Sequence, residues 1–172
     1  MNHFSMKKIL SCAKVEYFKW VCDARMIILA VLLIFIYSFA IDPLLQNAEL
    51  MGEPLNILEP FIAVANSGII LLIIPLVFMT LISDFPRIDT NTVFYISRVG
   101  RNNWLLGQVL KLVFMAGSFL IVIFLGAVLP MLGRGFWSNR WSKAATDFVS
   151  RFPERSGNFG VQLLPQNLYN QM

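Results

Sequence analysis

Arg98 and Arg101 stand three residues apart, and Trp104 follows at the same spacing, downstream of the tetrad Asp84-Phe85-Pro86-Arg87. The chemistry available to such a set is recognition. A guanidinium offers a carboxylate a planar fork of donors, and tryptophan is a strong interface anchor. Asp84-Phe85-Pro86-Arg87 and the stretch from Tyr95 to Trp104 therefore make a candidate interaction segment. The same residues admit a simpler role as ordinary membrane-proximal cations and a belt tryptophan. A second group, Asn66, Ser67 and Pro75, lies within an apolar run. Proline frees a carbonyl inside a helix and the polar pair needs cover, so these three mark a possible cavity or kink. Four acids, Asp42, Glu49, Glu53 and Glu59, crowd an interval without Lys or Arg. They could select charged substrates, but solvation is the expected state of such residues.

Catalytic groupings are missing from the pattern. The one histidine, His3, is terminal, and the two thiols, Cys12 and Cys22, have no histidine partner for a metal. There is no paired-histidine zinc motif, no GxSxG elbow and no glycine-rich phosphate loop with lysine. The chain is expected to be no enzyme and to carry no metal or cofactor. A net charge of +4 could suggest nucleic acid, but much of the basic excess flanks apolar runs, and that partner is not expected.

Those runs are the elements that must position everything else. Met26–Ile41, Phe61–Ser83 and Leu112–Leu132 contain no Asp, Glu, Lys, Arg or His. Hydrophobic residues make up 57% of the chain and charged residues 14%, outside the range of an ordinary soluble domain. About 20 apolar residues at ~1.5 Å each span a ~30 Å hydrocarbon core, which the second and third runs achieve. The first run covers only ~24 Å and is completed through Trp20 to Ala24 if Asp23 and Arg25 reach the headgroups. Backbone in hydrocarbon must satisfy its own hydrogen bonds, so the spans are helices. Lys7, Lys8, Lys14, Lys19 and Arg25 precede the first run, and Arg87, Arg98, Arg101 and Lys111 separate the second and third. The positive-inside rule then places the N-terminus and the second loop in the cytoplasm and the acidic first loop outside.

The expected fold is an all-α membrane protein with three transmembrane helices, at about 26–41, 61–83 and 112–132. Residues 1–25 form an amphipathic N-terminal helix, with Met6, Ile9, Leu10, Ala13, Tyr17, Trp20 and Val21 recurring at three- and four-residue steps. The first span is expected to stop at Asp42-Pro43. Residues 133–172 form an amphipathic extracytoplasmic region. There Phe136, Trp137, Trp141, Ala145, Phe148 and Phe152 suggest an interfacial helix resting on the outer membrane surface.

The stretches from Gly52 to Phe61, from Ile82 to Arg87, and from Tyr95 through Trp104 to Gln108 resemble the membrane-spanning subunits of bacterial ABC-2-type exporters. The resemblance covers most of residues 5–150. It implies a multi-pass permease in the cell membrane, driven by a separate ATP-binding cassette ATPase. Docking falls on Phe85, Pro86, Arg87, Arg98, Arg101 and Trp104. Permeases of this kind usually have about six spans, so three imply an N-terminal half, a partner half or a homo-oligomer. The alternative is a small multi-pass accessory protein without transport activity of its own.

Overall fold

The computed structural model of the chain describes residues 5–86, 88, 92–138 and 141–155. Every element among them is helical: α1 Met6–Val21, α2 Met26–Ile36, α3 Asp42–Met51, α4 Glu59–Asn66, α5 Gly68–Leu81, α6 Thr92–Val99, α7 Arg101–Val128 and α8 Lys143–Arg151. A π-turn, Tyr37–Ile41, joins α2 to α3, and a short 3-10 turn, Leu129–Met131, extends α7.

Two helices are long and apolar enough to cross a membrane, Met26–Met51 and Arg101–Met131. The bent pair α4–α5 makes a third if it is counted as one span. Large side chains on these helices stand exposed, among them Ile27, Val31 and Ile34 on α2, Leu72, Leu76 and Met79 on α5, and Val113, Leu120 and Ile121 on α7. Apolar surface this extensive needs an apolar solvent. The all-helical fold and these surfaces are consistent with a membrane protein.

Three expectations about the spans need correction. The first does not stop at Pro43. The π-turn takes up the disrupted pairing, and Pro43 enters the first turn of α3, where its missing N–H removes no helical bond. The helix thus continues ten residues beyond Ile41, until Gly52 caps it at φ 65°, a left-handed conformation suited to glycine. The second run is divided. Ser67 leaves helical geometry and the chain turns by 84° between α4 and α5. The third begins at Arg101, eleven residues earlier than expected, because α7 absorbs the polar stretch before Leu112.

The chain forms two compact units. Met1–Leu29 with Phe78–Ile121 makes the first, whose core gathers Ile9, Cys12, Ala13, Trp20, Leu81, Met115 and Phe119. Here α1 lies so close to α7 that a Cβ on Gly107 would sit 3.0 Å from Cys12 Cβ and 3.3 Å from the Ile9 carbonyl oxygen. Gly100, at φ 91°, turns the corner between α6 and α7. Asn103 holds that corner, donating to Val99 O and accepting from the Ser5 amide.

Ala30–Val77 with Val122–Met172 makes the second unit, with Ile36, Ile41, Leu44, Val64, Ile70, Met131 and Phe148 fully buried. The apolar face of its α8 is covered by protein. Ala144, Ala145 and Phe148 are buried within the protein, and α8 packs on α3. The helix periodicity was legible in the sequence; its partner is protein. Trp137 alone among the large aromatics ahead of α8 stays three-quarters exposed, at 74%.

Candidate functional site

In the first unit, charged residues gather around the C-terminal end of α5. That end exposes carbonyls with no helical partner, and Trp20 of α1 donates its indole N–H to one of them, Leu81 O, at 3.0 Å. Just beyond, Arg25 ion-pairs with Asp84 at 2.6 Å and donates to Ser83 Oγ at 2.9 Å. The link between α1 and α2 is thereby tied to the segment that follows α5. Lys111, from the second turn pair of α7, reaches Glu16 of α1 at 3.7 Å. Glu16 also accepts from Lys19 at 3.0 Å. Lys111 Nζ stands 5.7 Å from the centroid of the Phe85 ring, close enough for a cation–π interaction.

The Lys111 side chain is 6% exposed and that of Glu16 16%. A buried ammonium survives only when paired, because desolvation costs several kcal/mol per ion. Lys111 therefore acts as the junction of three elements, facing Glu16 on α1 and Phe85 after α5 from its place on α7. The cleft they line, together with Trp20, Arg25 and Asp84, encloses about 30 Å³. That is room for about two waters. The arrangement joins α1, α7 and the segment after α5. Burial pushes the Cys12 thiol above its ordinary range, Glu16 adding to the rise while Lys111 and Lys19 oppose it.

The expected docking residues divide around this joint. Phe85 is half-buried against Lys111, while Pro86 is exposed. Arg98, in the last turn of α6, and Arg101, opening α7, are both exposed, and neither makes an ion pair among the described residues. Trp104 is partly buried in the first turn of α7. Arg87 lies outside the described residues. Val93 and Phe94, 69% and 73% exposed, add an apolar patch on α6. Val93, Phe94, Arg98 and Arg101 are thus exposed, while Phe85 faces inward toward Lys111.

Sequence reasoning missed Glu16, Trp20 and Lys111 as site residues. Lys111 had been read as the cationic flank of a span beginning at Leu112, whereas it lies inside the helix and is 5% exposed. The usable signal was an ionisable residue directly continuous with an apolar run, which implies a buried partner. Glu16, at the right helical phase beside Ile9, Ala13 and Trp20, was available as that partner.

The second unit contains another polar node, on one of the acids expected to be solvated. Glu59 is fully buried. Its carboxylate accepts from the Ser142 amide at 2.5 Å, the Ser142 hydroxyl at 2.8 Å and the Asn56 amide at 3.2 Å. Asn56 in turn donates to Ser138 O at 2.6 Å, and Leu55 and Ile57 share backbone hydrogen bonds with Phe136. Glu59 thus fixes Ser142, which caps α8 through the Ala145 amide. The correction has a physical reason: donors fixed by the fold compensate a buried carboxylate as water would. Among the other acids, Glu53 pairs with Lys143 at 2.9 Å and Asp42 accepts from Gln46. Of the cavity-or-kink residues, Ser67 is buried at the bend and its Oγ lies 3.5 Å from the Ile70 amide, while Asn66 is exposed. Pro75 sits inside α5, whose helical geometry runs on to Leu81.

No protein-family model, curated protein or solved structure matches this chain. The class with which the fold is consistent is that of a helical membrane protein, since two or three of its helices are long and apolar enough to span. Among the described residues no cluster of His, Cys, Asp and Glu could hold a metal ion.

Proposed function

We propose that this chain is the membrane-spanning permease subunit, or the N-terminal half of one, of an ATP-driven exporter in the cell membrane. A separate ATP-binding cassette ATPase docks on the 84–111 segment from the cytoplasmic side, where the N-terminus also lies. The observation that carries the reading is the wiring of that segment. Its outward part presents Val93, Phe94, Arg98 and Arg101, apolar and cationic together and without ion pairs among the described residues. Its inward part is tied to α1, α5 and α7 through Arg25–Asp84 and through Lys111 beside Phe85 and Glu16. An acidic, apolar-lined groove on the partner would complement the outward part. Displacement of the segment would then be felt by every helix joined at Lys111, which is what ATP-driven alternating access requires. A second permease half, or a second copy, completes the pathway.

The test is affinity purification of the tagged chain from its native membrane in mild detergent, comparing wild type with Arg98→Glu/Arg101→Glu. An ATP-binding cassette protein should accompany the wild type and fall at least about tenfold with the double reversal, since like charges across an interface cost several kcal/mol. If the same proteins copurify at the same yield with both, docking through these arginines is wrong. Copurification of other membrane subunits without an ATPase would favour the accessory-protein reading.

A further inference from the structure

We propose that a cleft in the second unit, beside the N-terminus of α8, binds a phosphoammonium zwitterion, the group common to phosphocholine and phosphoethanolamine. The cleft measures about 490 Å³, ample for such a headgroup. Glu53, Lys143, Phe136, Trp137, Trp141 and Ser138 are among the residues that line it.

The chemistry follows from what each group lacks. Glu53 and Lys143 pair at 2.9 Å, but their side chains are 32% and 64% exposed. A pair this solvated is worth about 0–1 kcal/mol, so a ligand can part it cheaply. A plain anion would meet Lys143 but also Glu53, and a plain cation would suffer the reverse. A zwitterion satisfies both and replaces one weak ion pair with two. Trp137 is 74% exposed, a large indole face open to a cation. Aromatic faces beside a carboxylate are a favoured setting for quaternary ammonium groups. Ser138, whose Oγ is buried without a hydrogen-bond partner, also lines the cleft. Each element of the ligand thus has a counterpart, and none of them belongs to the proposed ATPase-docking surface. The inference stands independently of the exporter reading.

The test uses the full chain in dodecyl maltoside, titrated with dioctanoyl-phosphatidylcholine, dioctanoyl-phosphatidylglycerol and free phosphocholine, with bound species counted by native mass spectrometry. Phosphatidylcholine should bind at least about fivefold more tightly than phosphatidylglycerol, the equivalent of about 1 kcal/mol of cation–π attraction. Trp137→Ala should remove that preference and leave phosphatidylglycerol unchanged, whereas Glu53→Gln should remove it by weakening phosphatidylcholine and tightening phosphatidylglycerol, which then meets Lys143 without a competing carboxylate. Binding of free phosphocholine with the same dependence on Trp137 would assign the site to a soluble zwitterion; binding of the lipid alone would assign it to a headgroup. Equal binding of the two lipids, or a preference untouched by Trp137→Ala, would overturn the proposal. Trp137 is exposed enough to be removed without unfolding the unit, which keeps the test decisive if Glu53→Gln misfolds.

Discussion

Replacing Lys111 by Met should loosen α1 from α7, and the size of the effect can be worked from the pair it breaks. At 3.7 Å and an effective dielectric of about 20, the attraction between Lys111 and Glu16 is about 4.5 kcal/mol. Two terms reduce the net loss. Removing the ammonium also removes its desolvation cost, and Glu16 keeps Lys19 at 3.0 Å. About half the gross figure remains, so local opening of α1 should become easier by about 2 kcal/mol, or about thirtyfold in the opening equilibrium.

Cys12 supplies the assay. It is 1% exposed, on the face of α1 that meets Gly107, and the chain has only one other cysteine, Cys22. In a Cys22→Ser background, a thiol-reactive fluorophore reports only the opening that frees Cys12. Burial holds that thiol above its ordinary range, so the closed state is doubly protected. Lys111→Met should raise the labelling rate about thirtyfold. Glu16→Gln/Lys111→Met, which removes both charges, should recover most of the protection, because an uncompensated buried charge costs more than an absent pair. A rate within twofold of the parent in Lys111→Met would refute the argument. So would a double variant whose effect is simply the sum of the two single ones, since residues in direct contact should couple.

Two other expectations use the same chain. Glu59→Ala strips three donors of their acceptor in a fully buried site and should destabilise the protein by about 3 kcal/mol, with Glu59→Gln costing less; thermal unfolding in detergent should show the order Ala below Gln below wild type, and an Ala variant that melts with wild type would remove Glu59 from its structural role. Cys22, exposed at the end of α1, should react with a membrane-impermeant maleimide in inside-out vesicles and stay silent in right-side-out ones, whereas the reverse pattern would invert the proposed orientation.

The sequence made the spans legible because a long charge-free run has few physical alternatives. It left their ends unclear because ends are set by local exceptions. Pro43 reads as a stop, yet a single π-turn before it lets the helix continue to Met51. Pro75 reads as the kink of the second run, while the 84° turn falls at Ser67, whose hydroxyl and small side chain tolerate a break in the helix. The apolar face of α8 was visible as periodicity, but periodicity does not say whether lipid or protein covers it. The candidate site was half visible. Exposed arginines and aromatics advertise themselves by composition. The Glu16–Lys111 pair spans 95 positions, and only the packing of α1 on α7 through Gly107 brings its members together.

That pair also bears on why the first unit keeps charges where apolar residues would serve. A buried ion pair contributes about as much as, or less than, a well-packed apolar replacement, so stability alone does not explain Glu16 and Lys111. What an apolar contact lacks is register. Leucine against leucine tolerates sliding, whereas an ammonium against a carboxylate and an aromatic face is satisfied in one arrangement and costly in its neighbours. At Lys111 that constraint joins α1, α7 and the segment after α5, whereas Arg25–Asp84, with side chains 38% and 54% exposed, adds little to it. Helices whose outer faces are apolar slide readily against lipid. The Lys111 joint at the foot of α5 holds α1, α7 and the segment after α5 in one register.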